Sequence, residues 1–450
     1  MGANVKGAKA KKILAITGLT ILAIIAIGLG IRAFFNYTNG KKLEHHLAEL
    51  KASGRLVDIS KLASPCPDVD NGALLWKAAE YLFRLEKSDK GPLALVSDIS
   101  DWKPFGPEDK IKLKALIDRN RRVIELMLEA STKPCFRYGD LQKRVLEREL
   151  PDFSLMIQAT KLLAVDALFK AEAGEINEAI DEMLKGLAFA RLCCDDPLLI
   201  NFQISMANAR LLLYNLNRLM SEAKKPVPTP ALINIMKALD SETWRRAMTR
   251  ALEAEFASFC FGTYDRVLQK TENLLGINHG GFIDRIVGWW ERPDWKSETI
   301  WISEEYQKII DAARRPFYKN EMAKLLRDQG TEIPPKYEVA RLILPQIRAL
   351  VVKEATLEAM IDAARIGLAC LIYRNQYGKY PEKISDLVPE ILKEEPLDPF
   401  TGQSFIYKTK ENGFIVYSLG TNQKDDNGKM SPMTQVVMEK DDDWSWRQNW

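Results

Sequence analysis

Between Gly420 and Gly428 the chain crowds oxygen donors, with Asn422, Asp425, Asp426 and Asn427 standing in one short stretch bracketed by glycines. Carboxylates, side-chain amides and backbone carbonyls are what a hard divalent cation takes, and calcium needs about six to eight of them. A calcium-binding loop is therefore the first chemistry this sequence suggests. The spacing is not that of an EF-hand, because the alternating acids and the closing Glu are missing. The same residue types also build an ordinary solvated turn, since Asn, Asp and Gly accept left-handed backbone and bond to their own main chain.

Other reactive patterns are sparse. Of the three histidines, His45 and His46 are adjacent and His279 sits in the turn Asn278-His279-Gly280-Gly281, none with a second metal ligand at helical spacing. There is no nucleophile elbow, phosphate loop or His-Glu-x-x-His motif. Acids such as Glu253 and Glu255 read as a solvated helix face. The tryptophans are more suggestive. Trp289, Trp290, Trp295 and Trp301 cluster beside Phe282, Ile283, Ile286 and Val287, and Trp444, Trp446 and Trp450 crowd the end. Exposed, the first group would bind a glycan or peptide or lie at a membrane surface; buried, it is core or interdomain packing.

The elements that must position the acidic loop are legible around it. Pro381 has no amide proton and pushes Tyr380 toward extended geometry, so a helix ends there. Pro389, Pro396 and Pro399 punctuate a loop pinned by Ile384, Leu387 and Leu392. Ser404 to Lys408 and Phe414 to Ser418 alternate and are rich in β-branched and aromatic residues; the polar segment between them carries Asn412-Gly413, which predicts a β-hairpin. Upstream, Leu357, Met360, Ile361, Ala364, Leu368, Leu371 and Ile372 keep helical spacing. One long helix from near Lys336, able to kink at Pro345, leads into this module.

Ala364 through Tyr373, then Tyr377-Gly378-Lys379-Tyr380-Pro381, Leu397-Asp398-Pro399-Phe400, Tyr407 and Tyr417-Ser418-Leu419-Gly420 stand in an order that resembles the C-terminal part of the major pseudopilins of type II secretion systems. The acidic loop and the closing Asp443-Trp444-Ser445-Trp446-Arg447 also resemble a group of single-pass bacterial membrane proteins. The resemblance implies a long helix, a small sheet and a calcium site. It nominates the Leu419 carbonyl, Asn422, Asp425 or Asp426, and Asp443 as ligands. Asn422 stands where the pseudopilin pattern has an Asp, and the stretch from Gly428 to Asp443 is longer than that pattern.

At the other end, Ile13 to Phe35 is apolar apart from Thr17, Thr20 and Arg32, long enough for a bilayer. Lys6, Lys9, Lys11 and Lys12 precede it with no acid among them, which holds the N-terminus on the cytoplasmic side. No clear Ala-x-Ala site follows, so an uncleaved anchor is expected rather than a signal peptide. The pseudopilin processing site and helix-opening acid have no counterpart around Thr17 to Ile21, which argues against a polymerising pilin subunit.

A formal net charge of +3 with 28% charged residues makes no electrostatic case for nucleic acid. Cys66, Cys135, Cys193, Cys194, Cys260 and Cys370 include no Cys-x-x-Cys, so zinc is not expected; buried thiols are the plainer reading, with some pairing if the body is exported. From Leu43 to Gln376 the pattern is helical, broken at Ser64 to Pro67, Asp89 to Pro92, Lys103 to Pro107, Pro226 to Pro230 and Ile333 to Pro335. Ser154 to Cys194 reads as a helical hairpin split at Gly174, with Ala167, Ala179 and Gly186 at small packing positions like those of a tetratricopeptide repeat, although no period recurs.

The expectation is a mainly α protein: a basic cytoplasmic tail over 1–12, a transmembrane helix over 13–35, a multi-helix domain over 43–335, and over 336–450 a long helix with a small α+β pseudopilin-like module. Its expected role is that of a non-enzymatic interaction or scaffold protein of the bacterial inner membrane, its main domain extracytoplasmic and engaged with a protein partner. Alternatives are an exported hydrolase or glycan-binding enzyme with a carboxylate and tryptophan cleft, or a component of a secretion or pilus-like assembly, the last by analogy alone.

Overall fold

The computed structural model describes residues 2–55, 61–97, 105–141, 143, 148–258, 295–319, 333–429 and 443–450; the side chains of residues 2–15, 21, 22, 25 and 295 lie outside the description. Among the described residues the fold is mainly α with one small C-terminal sheet. Two compact units divide it: Met1–Leu56 with Asp265–Gln307 and Ile333–Ile343, and Val57–Tyr264 with Lys308–Glu332 and Leu344–Trp450.

In the first unit, α1 (Gly2–Ala52) is a single continuous helix. Among the described residues no helix is long and apolar enough to cross a membrane. With several side chains of α1 outside the description, the run expected to span a bilayer over 13–35 is not complete within it. What α1 does display is apolar exposure: Ile16, Leu19, Ile24, Ile27, Leu29, Ile31, Phe34 and Phe35 are between 41 and 71% exposed. At about 100° per residue, Ile16 and Leu29 lie on well-separated sides of the helix, so this is not one amphipathic stripe. The Thr20 hydroxyl donates to the Ile16 carbonyl at 2.9 Å, which hides its polarity within the helix.

Toward its C-terminal end α1 acquires partners. Lys296 Nζ donates to the Asn36 carbonyl at 2.9 Å, and His46 Nε2 meets Ser303 Oγ at 2.9 Å. His46 is thus held in packing, and exposed His45 pairs with Glu49.

The second unit contains α2 (Gly72–Leu82), α3 (Lys90–Ala94), α4 (Pro107–Arg119), α5 (Arg121–Ala130), α6 (Phe153–Ala173), α7 (Ile176–Leu192), α8 (Leu199–Glu222), α9 (Thr229–Ala238) and α10 (Ser241–Ser258). Asn71 caps α2 by accepting from the Ala73 amide, and its amide and oxygen also clasp the Arg137 backbone. Beside that clasp Cys66 and Cys135 form a disulfide, while Cys193, Cys194 and Cys370 are buried free thiols. Cys260 lies outside the described residues.

The hairpin expected over Ser154 to Cys194 is α6 and α7. Asp152 caps α6 through the Leu155 amide, and Gly174 ends it in left-handed backbone at φ 94°, where a side chain would be strained. Ala167 and Ala179 are fully buried, and a Cβ on Gly186 would lie 2.9 Å from Leu163 Cδ2, so small residues do set the helix spacing.

Two helices run through the unit boundaries, α11 (Trp295–Ala313) and α12 (Glu338–Tyr377), the latter containing Pro345. The helix ends before Tyr380-Pro381, as the proline requires. The Tyr407 hydroxyl then donates to the Pro381 carbonyl at 3.0 Å, and the Tyr380 ring packs on Phe414 at 5.1 Å.

The hairpin forms from β1 (Ile406–Lys410) and β2 (Gly413–Ser418), with β3 (Trp444–Gln448) adding antiparallel on the far side of β2. The first strand sits two residues later than its alternating run, because pairing Lys410 with Gly413 leaves only Glu411 and Asn412 for the turn. Every residue of β2 is buried, on both faces. Trp444 and Trp446 of β3 are buried as well, so the C-terminal tryptophans are core, and only Trp450 is exposed. Gly367 of α12 faces the Trp446 indole so closely that an added Cβ would fall inside it.

Candidate functional site

The acidic loop is held from beneath by a buried carboxylate. Asp398 accepts from the Phe400 amide at 2.9 Å, the Ser418 hydroxyl at 2.9 Å and the Leu419 amide at 3.1 Å, joining the Asp-Pro-Phe turn to the Ser-Leu-Gly turn. Burial pushes its pKa up and these donors oppose that. The residue works as a structural staple.

Above it, Asn422 Nδ2 donates to Asp426 Oδ2 at 2.9 Å while Asn422 Oδ1 accepts from the Lys424 amide at 2.8 Å. Asp425 turns the other way. Its Oδ1 accepts from the Tyr417 hydroxyl at 2.7 Å and the Asn427 amide at 2.8 Å, with Lys408 Nζ 3.6 Å from Oδ2. The Tyr417 hydrogen bond above all keeps Asp425 below the usual carboxylate range.

Asp443 is different. It is 0% exposed, its Oδ2 accepts from the Gly428 amide at 2.8 Å, and its Oδ1 has no hydrogen-bond partner among the described residues. Burial first, then the negative charges of Asp426 and Asp425, push its pKa up to about 7. An orphaned, fully buried carboxylate oxygen among other acids calls for a compensating charge or proton.

The fold therefore brings Asp426, Asn422 and Asp443 to one loop, commits Asp425 to Tyr417, and engages the Leu419 amide below. The donors are all oxygen, which suits calcium. Among the described residues no group of three His, Cys, Asp or Glu side chains is arranged to hold a metal ion. A cation here would depend on Asp426 and Asp443, supplemented by amide and backbone oxygens.

The tryptophan window is met only in part. Trp289, Trp290 and His279 lie outside the described residues, as does the side chain of Trp295, which opens α11. Trp301 is half-buried against Tyr337, ring centroids 5.4 Å apart.

Two acidic clusters were not anticipated. On α12, Glu354, Glu358 and Asp362 recur every four residues and are only 3, 8 and 6% exposed. Arg245 of α10 bonds Glu358, and Arg365 pairs with Asp362 at 3.1 Å. Burial raises all three, Glu354 well above its ordinary value, Glu358 to about 7 and Asp362 to about 6. The second cluster ties the hairpin to α5. Arg121 bonds Asp166, Lys170 reaches Asp166 at 3.0 Å and Glu182 at 2.5 Å, and burial lifts Glu182 to about 7.

Glu253 and Glu255 are also not the solvated pair expected. Glu253 binds Arg314 at 2.7 Å, and burial raises the Glu255 pKa, opposed by the charge of Arg148. The signal for the α12 acids was in the sequence: acids at four-residue spacing set among Leu357, Ile361 and Ala364.

No family model, no curated protein and no solved structure matches this chain. The pseudopilin likeness rests on its motif residues alone.

Proposed function

We propose that this chain is a single-pass protein of the bacterial inner membrane whose extracytoplasmic body serves protein contacts and carries no catalytic centre. The observation that carries the reading is α1, a helix whose apolar residues stay exposed around its circumference, preceded in sequence by Lys6, Lys9, Lys11 and Lys12. A helix apolar on all sides needs an apolar medium, and the lysines favour retention of that end in the cytoplasm. The Cys66–Cys135 bond supports an oxidising compartment for the body. The α12 acids, closed off by Arg245, support a structural role over the cleft that a hydrolase would need.

In this reading the C-terminal module is pseudopilin-like and braced by calcium. Asp443, Asp426, Asn422 and backbone oxygens such as that of Leu419 would hold the ion, which supplies positive charge to a carboxylate otherwise buried unpaired. Protease added to cells stripped of their outer layer tests the topology. The body should be digested while a cytoplasmic marker survives. Protection of the body until lysis would refute the orientation.

A further inference from the structure

We infer that the contact between α10 and α12 is a proton-controlled latch, closed while Glu354 and Glu358 are neutral and opened locally when they ionise. Glu354, Glu358 and Ile361 share one face of α12, at spacings of four and seven residues. Glu354 and Glu358 are 3 and 8% exposed. One oxygen of Glu358 takes the Arg245 guanidinium, whereas Glu358 Oε2, Glu354 Oε1 and Arg245 Nε have no hydrogen-bond partner among the described residues. A buried carboxyl group short of partners is tolerated when neutral and driven toward water when charged.

The groups facing these acids come from both helices and the turn between α9 and α10. Arg245 of α10 acts on both, while Arg246 pairs with Glu242 at 3.2 Å. Ahead of α10, Asp240 adds negative charge beside Asp362, which Arg365 of α12 already holds at 3.1 Å. Arg210 of α8 acts on Lys353. Arg245 thus stands against two acids one helical turn apart. Burial holds Glu354 well above its ordinary value and Glu358 at about 7, so the contact is fully closed below about pH 4.5 and loosens as pH rises through 7. The seam beside the acids is loosely filled. Ile361 joins Leu239, Trp244 of α10 and Leu213 of α8 around a recess of about 90 Å³. A recess forfeits the contacts that resist separation, so the first turns of α10 can part from α12 there, while Ala251 and Leu252 farther along stay buried.

Amide hydrogen exchange of the full chain in lipid nanodiscs, read by mass spectrometry at about pH 6 and pH 8.5 and corrected for intrinsic rates, tests the latch. Amides from Arg245 to Arg250 should be at least about tenfold less protected at either pH than those of α6 from Ala159 to Leu168, because a local opening precedes unfolding of the whole unit. Between the two pH values they should lose about tenfold or more of their protection, the change that Glu358 alone supplies when its ionisation moves from about 7 to about 4.5 on opening. The double variant Glu354→Gln with Glu358→Gln keeps neutral side chains of the same shape at every pH, and its loss should stay under about threefold. The inference is overturned by any of three outcomes: equal protection of α10 and α6, α10 protection that changes by less than about threefold with pH in the parent, or a double variant that falls as steeply as the parent. The first two need only the parent chain, so a variant that fails to fold leaves the test decisive.

Discussion

The acid stripe on α12 makes the stability of the second unit depend on pH in a direction opposite to that of ordinary surface carboxylates. Glu358 has its pKa raised from 4.5 to about 7 by burial, with Arg245 of α10 pulling it down and Asp362 pushing it further up. The folded state thus keeps a proton that the unfolded chain has already released. Stability from this group is fully present below about pH 4.5 and is lost as pH rises through 7. At about 1.4 kcal/mol per pH unit, the loss from Glu358 alone is on the order of 3 kcal/mol.

Glu358→Gln replaces the neutral acid by a neutral amide of the same shape and removes that titration. Urea unfolding of the full chain in detergent micelles, followed by tryptophan fluorescence from pH 4.5 to 8, reads the effect. The difference between variant and parent should move in the variant's favour by on the order of 3 kcal/mol across that range. Glu178→Gln, at an exposed acid of α7, is the control and should show no such trend. Curves for Glu358→Gln and parent that run parallel within about 0.5 kcal/mol would refute the argument.

Three further outcomes follow from the C-terminal module. Gly367→Ala forces a methyl into the Trp446 indole and should destabilise by about 1–3 kcal/mol, seen as a lower urea midpoint with unchanged slope. Asp398→Ala leaves the Phe400 and Leu419 amides and the Ser418 hydroxyl without their acceptor; a loss of about 2–4 kcal/mol and faster proteolysis after Tyr380 are expected. Calcium at about 2 mM should raise the melting temperature at pH 8 and lose that effect below about pH 6, because Asp443 must release its proton to bind. Asp443→Asn should abolish the calcium response at every pH.

Local chemistry decided which parts of this fold could be read in advance. Pro381 and Gly174 act through their own backbone, so the end of α12 and the split between α6 and α7 were legible; the β-hairpin was legible from its two strand runs, although its turn is Glu411-Asn412 and Gly413 pairs with Lys410. β3 was not read as a strand although Trp444-Ser445-Trp446-Arg447 alternates: the run is only five residues long, and its pairing with β2 joins segments far apart in sequence. Burial of β2 on both faces likewise belongs to its neighbours. The Cys66–Cys135 pairing requires the two Cα atoms to lie 5.7 Å apart at a sequence separation of 69 residues, after α2 to α5 have folded between them, which spacing cannot reveal. For the candidate site, the sequence named the loop and the oxygen-bearing residues that the structure sets near Asp443. It could not separate Asp425 from Asp426, since the choice is made by the Tyr417 hydroxyl. Four-residue acid spacing on α12 matched a hydrated face until Arg245 arrived from another helix.

The Asn217 side chain of α8, with its amide oriented by the available partners, donates to the Arg447 carbonyl at 2.8 Å and accepts from the Arg447 amide at 3.2 Å. It impersonates a neighbouring strand on the outer margin of β3. A sheet blocked in this way can recruit new strands from one direction only, along β1, where Lys408 and Lys410 already discourage them. Any assembly built by strand exchange through this module would accordingly be lopsided, ending after a single addition instead of growing into a fibre.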